Sequence, residues 1–358
     1  MLREHLAAFI FPSTDPHSGE YVPEHWKGRQ WISGFNGSAG TAVVTLEDAA
    51  VWTDSRYFIA AEEQLHGTEF KLMKDGMPGT PSIAEWLADK LKHTNNTEVA
   101  LDGMVNTLNE VNALKEELRK LGGLTLRTNL DPLKTIWTDR PKIPINKVEL
   151  QPLELAGEET RHKIERIRMA LRAVHADGTL VSTLDDVAWT LNLRGSDVEC
   201  NPVFVAYLLI EQQSNTLYIN KEKLTNEVYN YLLSQQIDVE DYADVTKGLA
   251  NYAEYNILLD PNTTNYTLAK MVKCQEIVTM PSPVPALKAV KNEAEIRGFR
   301  NAMLKDGIAM VKFLKWLKPA VEAGNETEIS LDDKLTSLRA EQPLFKGKSF
   351  ETIVGYEA

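Results

Sequence analysis

Apolar positions in this chain alternate between a strand rhythm and a helix rhythm. Thr41–Thr45 and Ala50–Thr53 are short runs rich in β-branched or aromatic residues, split by Leu46-Glu47-Asp48, and predict a hairpin. Phe58–Leu65 follows with helix formers. Ser82 then opens a stretch in which Ile83, Trp86, Leu87 and Leu91 fall on one helical face behind a capping serine. Val99–Leu101 predicts a buried strand and Leu108–Leu121 a further helix. Later in the chain Phe204–Ile210 and Thr216–Ile219 repeat the strand pair, and Leu224–Leu233 the helix. Alternating strands and helices predict an α/β fold with a mixed sheet flanked by helices.

The last stretch has a different character. From Asn292 onward, Ile296, Phe299, Met303, Ile308, Val311, Leu314 and Leu317 fall near a 3.6-residue period. Pro319 and Gly324 are expected to stop that helix. A second helix is expected from Thr327 to Arg339, then a strand over Ser349–Tyr356. Two helices and one strand are too few to bury a core of their own.

Two proline-bearing stretches, Asp139–Pro144 continuing to Pro152, and Pro281–Pro285, read as linkers because proline lacks an amide donor and fixes φ. They divide the chain into 1–140, 141–285 and 286–358. The first two parts look like copies. Trp31 precedes Gly37-Ser38 by six residues, as Trp189 precedes Gly195-Ser196, and Val99–Asp102 matches Ile257–Asp260. The offset is 158 at both landmarks. Leu133–Ile136 echoes Leu287–Val290 at an offset of 154.

The chain has 358 residues, 43% hydrophobic and 25% charged, which is ordinary for a folded domain protein and excludes collagen-like, disordered and disulfide-scaffold classes. Its net charge is −12, which argues against a nucleic-acid or anionic-membrane partner. That charge divides as −7 over 1–139, −6 over 140–287 and +1 over 288–358. The longest apolar run, Val203–Ile210, is far short of the ~20 residues of a membrane helix. Leu6–Phe11 is too short for a signal peptide. Two cysteines, Cys200 and Cys274, point to a reducing, cytoplasmic setting. In that setting the sequons at Asn36, Asn95, Asn262, Asn265 and Asn325 are chance matches.

Candidate chemistry is sparse. Gly34, Gly37 and Gly40 are spaced GxxGxxG and lead into a strand, so they read as a tight turn and not a phosphate loop. Ser38 and Ser196 have no base nearby in sequence and read as turn serines. The acidic pairs Glu62-Glu63, Asp185-Asp186 and Asp332-Asp333 are adjacent, so they read as solvated faces. No metal-ligand spacing is present, and no histidine lies beyond His175. In Trp52-Thr53-Asp54-Ser55-Arg56-Tyr57, Asp54 reads as a cap. Arg56 is either a local partner of Asp54 or a planar fork reaching a ligand or interface, and both readings stay open. Arg194-Gly195-Ser196-Asp197 reads as a structural turn.

Together these residues resemble a known family. Trp31–Ala42 with Trp52–Phe58, Ile136–Pro141, Asp185–Asp197 with Asn201–Phe204, Lys288–Ile296 and Thr327–Ile329 are similar, in order, to the long, three-domain aminopeptidase P family of the creatinase/prolidase superfamily. Ser55 stands where relatives often have Gly. The resemblance implies two duplicated creatinase-like N-terminal α/β domains, 1–140 and 141–285, plus the truncated start of a pita-bread catalytic domain at 286–358. It implies the front portion of a metal-dependent Xaa-Pro aminopeptidase, which removes the residue before proline using two divalent metals, manganese by family habit. The family's metal ligands would follow Ala358, so no catalytic residue, no metal and no activity are expected in this stretch. Its implied partners are peptides with N-terminal Xaa-Pro and a second copy in a homodimer. Arg56 matches a family arginine that faces the substrate cleft. The alternatives are another superfamily hydrolase such as a prolidase, which the duplication disfavours, or a catalytically silent pseudo-peptidase binding module.

Overall fold

The structure, a computed structural model, describes residues 1–356. The central strand of its first sheet is β1 (Ala8–Phe11), buried on both faces. β2 (Thr41–Thr45) and β3 (Ala49–Thr53) form the predicted hairpin, and its turn closes where Thr45 Oγ1 accepts from the Asp48 amide at 2.8 Å. β4 (Phe70–Lys74), β5 (Glu98–Leu101) and β6 (Thr125–Arg127) complete a sheet of order β4-β3-β2-β1-β5-β6. β1 runs antiparallel to β2 and parallel to β5. The helices Ile83–Leu91 and Leu108–Gly122 lay Trp86, Leu87, Val111 and Leu118 on one face. Both carry capping boxes, Ser82 with Glu85 and Thr107 with Glu110. Phe35, Ala61, Leu65, Leu133 and Trp137 cover the other face.

After a two-residue ladder of β7 (Glu149–Leu150) with β9 (Leu193–Arg194), the same plan recurs. β8 (Gly178–Val181), β10 (Ala206–Ile210), β11 (Asn215–Ile219), β12 (Asp238–Glu240), β13 (Asn256–Leu259) and β14 (Glu276–Thr279) give the order β12-β11-β10-β8-β13-β14. Strand for strand this is the first sheet again, with the same parallel and antiparallel senses. The 158-residue offset holds at the landmarks but not between them. β2 and β10 begin 165 residues apart, β3 and β11 166, and β5 and β13 158. Extra chain before β10 is recovered before β13.

The two units meet through equivalent loops. Leu108 N donates to Thr264 O at 3.0 Å, and at the positions 158 residues on and back, Tyr266 N donates to Asn106 O at 2.9 Å. Asn109 N to Pro261 O, at 2.9 Å, is mirrored by Thr267 N to Gly103 O, at 3.1 Å. Such reciprocal contacts are the mark of an isologous, two-fold interface, here between duplicated halves of one chain.

Three local expectations are corrected. The long helix Glu293–Glu322 runs through Pro319 before it ends ahead of Gly324, at φ 80°. Pro319 has no N–H to give the Lys315 carbonyl, and the helix runs only three residues past it. Ser349–Tyr356 forms no strand, since no neighbouring strand pairs with it among the described residues. Asp186 is not on a solvated face: it is 3% exposed, and Lys288 bridges it at 2.6 Å and Asp185 as well.

The helix Glu293–Glu322 and the helix Glu328–Ala340 pack as an antiparallel pair, tied by Arg339 to Asp306 at 2.7 Å. They bury little. Phe299, Met303, Leu304, Val311 and Leu314 all remain exposed.

Candidate functional site

A cavity of about 160 Å³ opens at the junction of the two units. Its walls come from the segment after β1 (Ser13, Glu20, Tyr21), the helix Gly28–Ser33 (Arg29, Gln30), the glycine turn (Asn36, Gly37, Ser38) and Glu199 of the second unit. The turn is shaped as the glycine spacing requires. Gly34 and Gly40 have φ of 77° and 156°, and a Cβ on Gly37 would collide with the rings of Phe35 and Tyr57. Phe35 is fully buried beneath it, edge-on to Tyr57.

Arg29 holds this turn from below and is 4% exposed. Its guanidinium donates to the carbonyls of Phe35 and Gly37, and its Nε to Ser13 Oγ at 2.8 Å. Ser13 Oγ in turn donates to Gly40 O at 2.6 Å. No carboxylate pairs with Arg29 among the described residues, and burial lowers its pKa to about 10.

Arg56 does not line the cavity. It stands beside it, just past β3, with its side chain 65% exposed. Asp54 caps the short turn Ser55–Tyr57 by accepting from the Arg56 amide at 3.0 Å. The same carboxylate receives the Arg56 fork at 2.9 and 2.8 Å. That hydrogen bonding raises the Arg56 pKa and lowers that of Asp54. Arg56 also lies over the Tyr57 ring, 5.2 Å from its centre, and Tyr57 OH meets Ser38 Oγ at 2.6 Å. The local pair is therefore present, with one face of the guanidinium still open to solvent. Ser38 is a turn serine whose partner is a phenol.

The cavity residues Arg29, Glu20, Tyr21 and Glu199 had no signal in the sequence. Lys27-Gly28-Arg29-Gln30 carries no motif, and Glu199 lies 170 residues beyond Arg29. At the far end of this region Cys200 Sγ lies 3.6 Å from Glu351. Burial, then that carboxylate, raises the Cys200 pKa. Among the described residues no group of three or more His, Cys, Asp or Glu side chains could hold a metal ion. Among the described residues no helix is long and apolar enough to cross a membrane.

This architecture is that of a tandem pair of creatinase-like domains. Two family models described as the Creatinase/Prolidase N-terminal domain match residues 1–128 and 139–295. The chain belongs to the aminopeptidase P family of that superfamily. It is 35% identical to Aminopeptidase P2 of Arabidopsis thaliana over 98% of its own length and 54% of that protein's. It is 36% identical to the Xaa-Pro aminopeptidase ApepP of Drosophila melanogaster over 97% and 57%. A crystal structure of X-prolyl aminopeptidase from Caenorhabditis elegans, described as a cytosolic enzyme with a di-nuclear active site, superposes with a TM-score of 0.91 at 32% identity. That match covers 97% of this chain and 58% of the other. The chain thus spans little more than half the length of these relatives.

Proposed function

We propose that this chain is the front portion of a metal-dependent Xaa-Pro aminopeptidase acting on peptides with proline second. The observation that carries the reading is the in-order alignment of 97–98% of the chain with enzymes of that name, on a fold that superposes at 0.91. A proline amide has no N–H and a fixed φ, so its cleavage needs a cleft shaped for it. The two units build one wall of such a cleft, with the cavity, Tyr57 and Arg56 facing the substrate. The three parts 1–140, 141–285 and 286–358 act as two front domains and the beginning of a catalytic one. The complete enzyme is a cytosolic homodimer with two divalent ions, manganese by family habit. Among the described residues no such group of side chains is present to hold that centre, and no chemical step is assigned to them.

The test is an assay of a longer protein, carrying the sequence that follows Ala358, on Xaa-Pro peptides with and without chelator. Cleavage before proline, lost on chelation and restored by manganese, is expected; the 358-residue chain alone should not cleave. A longer protein that folds, binds Xaa-Pro peptides and never cleaves them would replace this reading with a binding module.

A further inference from the structure

The buried Arg29 is the feature that fold stability explains least well. A guanidinium taken out of water is costly unless paired, and here its only described acceptors are two carbonyls and a hydroxyl. Its fork is spent on the turn, so it is poorly placed to hold a ligand itself. What it fixes is geometry. With Ser13 it gathers the carbonyls of Phe35, Gly37 and Gly40. That places Ser38, which holds Tyr57, on whose ring Arg56 rests.

The second unit supplies a comparison within the same chain. Its equivalent of Gly37-Ser38 is Gly195-Ser196, and the residue 158 positions after Arg29 is Val187, fully buried. The turn after β11 repeats the turn after β3: Asn220 accepts from the Glu222 amide as Asp54 accepts from that of Arg56. Tyr57 thus corresponds to Lys223, which pairs with Asp197 in full burial. Each unit ties its glycine turn to the turn after its third strand. The second unit does so with a buried ion pair and presents Glu222. The first does so with a neutral Ser38–Tyr57 link, places the cation beneath the turn, and presents an arginine beside a cavity.

We propose that Arg29 is a positioning residue: it sets the glycine turn and, through Ser38 and Tyr57, the orientation in which Arg56 meets substrate. The clause about substrate rests on the reading of Arg56 given above. The mechanical clause does not, and the two are tested separately.

Hydrogen exchange on Arg29→Gln tests the link in the 358-residue chain itself. Faster exchange is expected at residues 35–38 and also at 55–58, with β2 and β3 still protected. Faster exchange confined to 35–38, or none, overturns the link. Arg29→Lys, which keeps charge but offers a point donor in place of a fork, should fall between wild type and Arg29→Gln. If Arg29→Gln does not fold, the comparison of Arg29→Lys with wild type decides the same question. In the longer, active protein, Arg29→Gln is expected to raise KM about tenfold with kcat within about twofold. The Arg29→Gln/Arg56→Ala double variant should then be no worse than Arg56→Ala, because both changes remove one interaction. Multiplying effects, or kcat and KM changing together, overturn the positioning role. An unchanged KM in Arg56→Ala overturns the reading of Arg56 and leaves the exchange result to judge Arg29.

Discussion

Thr107 and Asn265 face each other across the unit junction as an antiparallel bridge, and each caps the corresponding helix of its own unit. They are 158 residues apart, the offset of the duplication. Near-symmetry of backbone does not mean equal energetics, because their side chains do different work. Thr107 Oγ1 accepts from the Glu110 amide at 3.3 Å. Asn265 caps the Leu268 amide at 3.0 Å and also donates to Pro16 O and Tyr207 OH, both at 3.1 Å, inside the junction. Thr107→Ala should cost about 1 kcal/mol, the usual value of a cap. Asn265→Ala should cost about 1–3 kcal/mol more, for acceptors left dry. Urea midpoints measure both; equal losses would mean that the junction bonds of Asn265 contribute nothing.

His17 fastens the segment after β1 into the second unit. It is fully buried; its Nδ1–H donates to Ser182 O at 2.7 Å, so Nε2 is the acceptor for Tyr242 OH at 2.8 Å. Burial, opposed by Asp15, lowers its pKa from 6.5 to about 4. The unfolded chain therefore binds a proton that the folded chain refuses. Stability is full above pH 6.5 and falls as pH drops toward 4, by roughly 3 kcal/mol for this group. Asp102 works the other way: burial raises it to about 6, which costs stability as pH rises from 3.8. The contrast of wild type with His17→Asn isolates the histidine. The variant should lose the downward slope between pH 6.5 and 4, and an unchanged slope would assign it elsewhere.

Asp197 and Lys223 form an ion pair with both side chains essentially dry. Asp197 also accepts the Val205 amide at 2.7 Å, while its Oδ1 has no partner. Removing one charge strands the other, so Lys223→Met should destabilise by about 3–5 kcal/mol. The double variant Asp197→Asn/Lys223→Met should recover most of that. Chemical denaturation of the three proteins checks it, and a double variant as weak as the single one would count against a charge-stranding cost.

Arg56→Ala should lower kcat/KM of the longer, active protein on Xaa-Pro peptides, by about tenfold. Its melting temperature should barely move, since the pair with Asp54 is exposed and screened by solvent. Unchanged kinetics would remove Arg56 from the cleft.

The long helix leaves Phe299, Met303, Leu304, Val311 and Leu314 exposed. An apolar face of this kind predicts that the 358-residue chain binds a hydrophobic dye or self-associates. Changing Met303, Val311 and Leu314 to Gln should reduce both. A monodisperse monomer without dye binding would show that the face is covered in solution.

What the residues made legible was local. The β2–β3 hairpin, the capped helix after Ser82, the helix from Leu108 and the duplication follow from period, caps and turn chemistry, which act over a few residues. β1 was not legible as the central strand, because an apolar run buried on both faces has no alternation to mark it. The polar edge strand β12 had no pattern at all. Asp186 read as solvated because its partner Lys288 lies 102 residues away.

The sequence by itself determined the two-fold repetition, the family resemblance and the presence of Arg56 beside Asp54. Tertiary structure alone decided that equivalent loops pair reciprocally, that Arg29 lies dry beneath the glycine turn, and that Glu199 joins the first unit's cavity. These depend on contacts between residues far apart in the chain, and their cost or gain is set by burial, which exists only once the two units have docked.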